Sequence, residues 1–141
     1  MNGVSAERFA PGSTVTRQQL WMILARLSGY QPADFAEAKA WAVDNRISDG
    51  TNPGNAVSRQ QLVTILYRYA VMMGYKTTGA ADLTQFPDHA SVAAYAKDAM
   101  SWSVANGIVG GTTAGTLNPT GTATRAQFAV ILSRFCEKIV G

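Results

Sequence analysis

One segment of this sequence is written three times. It reads APGSTVTRQQLWMILARLSG from Ala10, NPGNAVSRQQLVTILYRYAV from Asn52 and NPTGTATRAQFAVILSRFCE from Asn118. Pro11, Pro53 and Pro119 each precede an arginine by six residues (Arg17, Arg59, Arg125), and each of these precedes another by nine (Arg26, Arg68, Arg134). Agreement at fixed offsets makes each copy one supersecondary unit, which cannot bury its apolar face alone and must pack on its neighbours. A second block occurs twice, WAVDNRISDG from Trp41 and WSVANGIVGG from Trp102, with every position offset by 61. The unit is therefore a helix bearing Trp, a turn closed by Gly50 or Gly111, a loop with proline, and a helix opened by Thr-Arg or Ser-Arg.

The opened helices have a local cause. Thr16, Ser58 and Thr124 are good N-caps, and Gln19, Gln61 and Gln127 stand three residues later, which is the capping-box pattern. Apolar residues follow at helical spacing: Leu20, Ile23, Leu24 and Leu27; Leu62, Ile65, Leu66 and Tyr69; Phe128, Ile131, Leu132 and Phe135. Three equivalent stripes on short helices predict a common core with pseudo-threefold symmetry. The Trp-bearing block predicts helices over about residues 34–45, capped by Asp34, and about 91–106, stopped by Asn106-Gly107. Residues 74–88, with Gly79 and Pro87 and little periodicity, read as a connecting loop. The class expected is all-α: a single domain, 1–141, with a partial first repeat to about residue 29, a second over 30–73, and an insertion plus third repeat over 74–141. By this alignment Met1 matches Val109, so the first copy begins mid-repeat and is incomplete.

Composition narrows the function. The chain has 47% hydrophobic and 15% charged residues, a globular balance. A net charge of +3 is too mild to point to nucleic acid, and no apolar run nears the ~18 residues of a membrane span. Residues 1–15 hold Pro11 and Gly12 where a signal peptide would be apolar, so work outside the cell requires a fragment or a leader supplied elsewhere. The one cysteine, Cys136, lies in a helical pattern and reads as a small buried residue. The one histidine, His89, excludes a multi-histidine metal site and reads as a loop or first-turn residue. No H-E-x-x-H, G-x-S-x-G or phosphate-binding glycine loop is present. No enzyme activity, metal or cofactor is expected.

Six of the eight arginines fall at repeat-equivalent positions. Arg17, Arg59 and Arg125 open helices, where the dipole disfavours a cation, so helix stability does not explain them. A guanidinium there can grip a carboxylate or phosphate, and a helix start favours an anion. Equally, each could bond loop carbonyls or a neighbouring helix end. Arg26, Arg68 and Arg134 come late in their helices, where positive charge suits the dipole. Trp41 and Trp102 can stack on a sugar face, but such residues are more often core. Gly50 and Gly111 fit a requirement for positive φ. Asp88 reads as the N-cap region of the following helix.

These residues resemble the S-layer homology repeat. The turn is NGIVGG at Asn106–Gly111, the loop ends are RFAP (Arg8–Pro11), GTNP (Gly50–Pro53) and TLNP (Thr116–Pro119), and the openers are VTRQQ (Val15–Gln19), VSRQQ (Val57–Gln61) and ATRAQ (Ala123–Gln127). Phe86-Pro87-Asp88 resembles the F-x-D that begins a family repeat. The family's usual Glu in the opener is Gln in all three copies. The resemblance implies a three-pronged helical domain at the bacterial cell surface, part of an exported parent. It implies non-catalytic attachment to an anionic, often pyruvylated, secondary cell-wall polymer. Ligand contacts would lie in grooves between repeats, at Arg17, Arg59, Arg125, Gln19, Gln61, Gln127, Trp41, Trp102, Gly50, Gly111 and Asp88. The alternative is a structural or protein-interaction module without the glycan site, self-associating through the apolar surface that an incomplete first repeat leaves open.

Overall fold

The computed structural model describes residues 13–110 and 115–140, and Gly111 lies outside them. Among the described residues five α-helices carry the fold: α1 (Arg17–Leu27), α2 (Phe35–Asp44), α3 (Arg59–Met73), α4 (Lys97–Ala105) and α5 (Arg125–Phe135). Among the described residues the only extended pairing is three isolated bridges.

All three capping boxes form. The Gln19 N–H donates to Thr16 Oγ1 at 3.3 Å and the Thr16 N–H to Gln19 Oε1 at 2.9 Å. The Ser58–Gln61 pair repeats this at 3.2 and 2.9 Å, and the Thr124–Gln127 pair at 3.1 Å in both directions. Asp34 caps α2 by accepting from the Glu37 N–H at 2.9 Å.

The segments just before the openers close the molecule on itself. Val57 N–H donates to Val15 O (2.8 Å), Ala123 N–H to Val57 O (3.0 Å), and Val15 N–H to Ala123 O (3.4 Å). This cycle is the pseudo-threefold axis. Around it the stripe residues bury as expected: Leu20, Leu24, Leu62, Leu66, Tyr69 and Phe135 are enclosed. Ile23 and Leu132 are half-buried, and Leu27 is 40% exposed, because α1 ends at Ser28 and the chain turns away at Gly29, whereas α3 continues to Met73. Trp21 and Val63, outside the stripes, are also buried.

Those helices pack one copy back: α2 lies on α1 and α4 on α3. Both end alike. Ile47 N–H donates to Ala42 O and Ile108 N–H to Ser103 O, each at 2.9 Å, with Arg46 (φ 60°) and Gly107 (φ 73°) in the left-handed region. This is the six-to-one closure of a helix C-terminus. The expected start near residue 91 is corrected: 3-10 turns at His89–Ser91 and Ala94–Ala96 precede α4, which begins at Lys97 with no side-chain cap. The 74–88 connection is tied down along α4. Trp102 Nε1 donates to Lys76 O (3.2 Å), Asn106 Nδ2 to Thr78 O (2.9 Å), and the Ala81 N–H to Ser101 Oγ (2.8 Å).

Candidate functional site

The helix starts are sealed by backbone. The Arg17 and Gln18 N–H groups donate to Asn55 O (3.0 Å) and Pro53 O (2.9 Å), in the Asn-Pro turn of the next copy. Likewise Arg59 and Gln60 donate to Gly121 O and Pro119 O, both at 2.9 Å, and the Arg125 N–H to Ser13 O at 2.6 Å. The cap hydroxyl takes the third donor of each helix. The expectation of an anion on these amides is therefore revised: in α1 and α3 the first three donors are already spent, and an anion would have to meet side chains. The turn fits its task because Asn52 (φ 50°) and Asn118 (φ 49°) enter the left-handed region that Asn tolerates.

The three opener arginines have different fates. The Arg17 side chain is 13% exposed; its Nη2 lies 3.4 Å from both Ser48 Oγ and Asp49 Oδ1, and its Nε is buried without a hydrogen-bond partner. Arg59 is 7% exposed, with Nε donating to Leu117 O at 2.9 Å and Nη2 to Gly110 O at 3.5 Å. Burial pulls its pKa down and the Asp88 charge opposes this. Arg125 is half-buried, and its Nε too is buried without a hydrogen-bond partner.

A polar cleft of about 400 Å³ opens beside Arg17. The first wall is Arg17 with the turn residues Ser48, Asp49, Thr51 and Asn52; the second is Gln61, Thr64, Ile65 and Arg68 of α3; Tyr95 stands at the edge. Asp49 is held in its turn by the Thr51 N–H (3.0 Å) and hydroxyl (2.7 Å), and these bonds, with the Arg17 charge, keep its carboxyl below the usual range despite some burial. Two arginines face one carboxylate, so the cleft is cationic. Tyr95 is a mostly exposed ring that sequence reading missed, since it falls in the 3-10 turn before α4, outside the repeated blocks.

The other candidates are spread out. Trp102 is enclosed, edge-on to Tyr67 and Phe135, and offers no face to a ligand; half-buried Trp41 packs against Tyr69. Gly50 serves the backbone: at φ 79° an added Cβ would come within 2.8 Å of Val43 Cγ2. Asp88 makes no cap bond to the turn it precedes; its carboxylate accepts from the Leu117 (2.9 Å) and Asn118 (2.8 Å) N–H groups and clamps the third-copy loop. Gln61 lines the polar cleft and Gln19 an apolar one, while Gln127 is exposed. Among the described residues no three His, Cys, Asp or Glu side chains group to hold a metal, and no helix is long and apolar enough to cross a membrane.

Residues 85–129 match the family model of the S-layer homology domain. The chain carries an S-layer homology domain. It is 31% identical over 108 residues, 74% of its length, to the surface-layer 125 kDa protein of Lysinibacillus sphaericus. It is 25% identical to exoglucanase XynX of Acetivibrio thermocellus and 26% to the amylopullulanase of Thermoanaerobacterium thermosulfurigenes, each over 98% of this chain. These alignments span only 9%, 14% and 8% of those relatives' own lengths. The chain thus spans less than a sixth of the length of these relatives.

Proposed function

We propose that this chain is a non-catalytic anchoring module that holds its parent on the bacterial cell wall by binding an anionic secondary wall polysaccharide between repeats. The observation that carries the reading is the cationic cleft at Arg17. Its guanidinium is drawn out of water, faces a concave polar surface, and is matched by one exposed carboxylate at 3.4 Å, an ion pair of small worth. A carboxylate on a sugar could take a bidentate grip there, with Arg68 beside it and Tyr95 against the ring. Similarity to a surface-layer protein and to two polysaccharide-named enzymes over the same short stretch fits a shared attachment module.

The test is co-sedimentation with wall sacculi, intact and stripped of secondary polymer. Wild type should pellet with intact sacculi alone, and a folded Arg17→Ala variant should stay in solution. Failure of wild type to pellet with intact sacculi rejects the anchor.

One observation favours a second reading, a module that pairs with its own kind. An apolar cleft of about 560 Å³ lies between α1 and α5, lined by Met22, Ile23, Phe35, Phe128 and Leu132, and Phe35 at its edge is 43% exposed. Under this reading a second copy covers that face. Sedimentation equilibrium would show a dimer that Phe35→Glu dissociates; a monomer at all concentrations rejects it.

A further inference from the structure

The pseudo-threefold relates three inter-repeat positions, and their chemistry has diverged. At the first, Arg17 faces Gln61, Thr64, Ile65 and Arg68 across the polar cleft. At the second, the counterpart arginine is Arg59, buried and committed to the carbonyls of Leu117 and Gly110. Gly110 stands there in place of Asp49, and Val130 in place of Thr64. At the third, Arg125 faces Gln19, Met22, Ile23 and Phe35. Met22 replaces Thr64, and Phe35, one position along, comes where Tyr95 stood, so the polar floor has become apolar.

We propose that only the first position binds the anionic glycan, one site per chain, with Arg17 and Arg68 as its two cationic contacts. Arg59 belongs to the fold. Its Nε acceptor, the buried carbonyl of Leu117, would lose its donor if the side chain turned to a ligand, and a buried carbonyl left unpaired is costly. Among the described residues the third position offers a sugar hydroxyl fewer polar partners, because Met22 takes the place of Thr64 and Phe35 that of Tyr95. This rests on the wall-binding reading above and narrows it to one cleft.

Arg26, Arg68 and Arg134 provide the test. They occupy the same place on three equivalent helices and all are exposed, so alanine there should cost each fold equally little. Only Arg68 lines the polar cleft. Affinity for intact sacculi should fall about 10- to 100-fold in Arg68→Ala, the worth of a charge-assisted contact, and stay unchanged in Arg26→Ala and Arg134→Ala. Three working grooves would instead share the load and give three comparable partial losses. That pattern, or full binding by Arg68→Ala, overturns the single-site inference and leaves the anchor standing. Wild type that fails to bind sacculi removes the anchor itself, and the inference with it.

Discussion

Asp88 illustrates how one side chain can carry long-range structure. Burial raises its pKa, but the two N–H groups of Leu117 and Asn118 outweigh this and hold it below the ordinary value. A depressed folded-state pKa means that the clamp contributes fully above the unfolded carboxyl value, about 3.9, and is lost as pH falls through the lower folded value. Asp88→Asn keeps the shape but surrenders one acceptor and the charge. It should lower the melting midpoint clearly at pH 6, and the gap to wild type should close below about pH 4. An equal gap at both pH values would mean that the carboxylate is not the clamp. Tyr69 is the opposite case. Its hydroxyl is buried without a hydrogen-bond partner, and burial pushes its pKa up to about 12. Stranding a polar group costs about 1–3 kcal/mol. Tyr69→Phe keeps the ring against Trp41, Tyr75 and Phe135, so it should unfold at equal or higher urea concentration than wild type.

Among the helices, the C-terminal turn invites a repair. The left-handed position after α4 is Gly107, but after α2 it is Arg46, exposed and at φ 60°. A side chain in that region costs roughly 1–2 kcal/mol, and glycine removes this while losing part of the gain to backbone entropy. Arg46→Gly should therefore stabilise the protein by about 0.5–1 kcal/mol in chemical denaturation; destabilisation would show that the Arg46 side chain does more than occupy the turn. Such helix ends were legible because their causes are local: Thr16 and Gln19 are three apart, and Asn106-Gly107 is a dipeptide. The sealing of the helix starts was not legible. The Arg17 N–H finds its acceptor at Asn55 and the Gln18 N–H at Pro53, partners from another copy with no local signature. The same distance hid the roles of Asp88 and Tyr95, and the divergence among Arg17, Arg59 and Arg125 that one identical motif concealed. Trp21 escaped notice because a helix buried on two faces defeats the search for a single stripe.

For the whole molecule, closure is what matters. In an open repeat array each unit touches only its neighbours, so folding can begin anywhere and stability is roughly additive. Here the backbone cycle of Val15, Val57 and Ala123 joins the third copy to the first as well as to the second. The Asn-Pro turns of the second and third copies also cap the helix of the copy before them, so neither α1 nor α3 is complete without its neighbour. The aromatic cluster crosses the boundary between the second and third copies, with Tyr69 against Phe135 (6.0 Å) and Tyr67 against Trp102 (5.2 Å). Removing any copy would expose capping donors and core together. Unfolding should then be a single transition, with van't Hoff and calorimetric enthalpies equal. Val57→Pro isolates the ring from the core: it deletes the N–H that bonds Val15 O while keeping an apolar residue. Closure predicts that this variant lowers the midpoint for all helices together, read as one loss of far-ultraviolet circular dichroism. An additive array predicts two transitions, with the region around α1 melting first and α4 and α5 persisting, and that outcome would show the ring to be a consequence of packing rather than its cause.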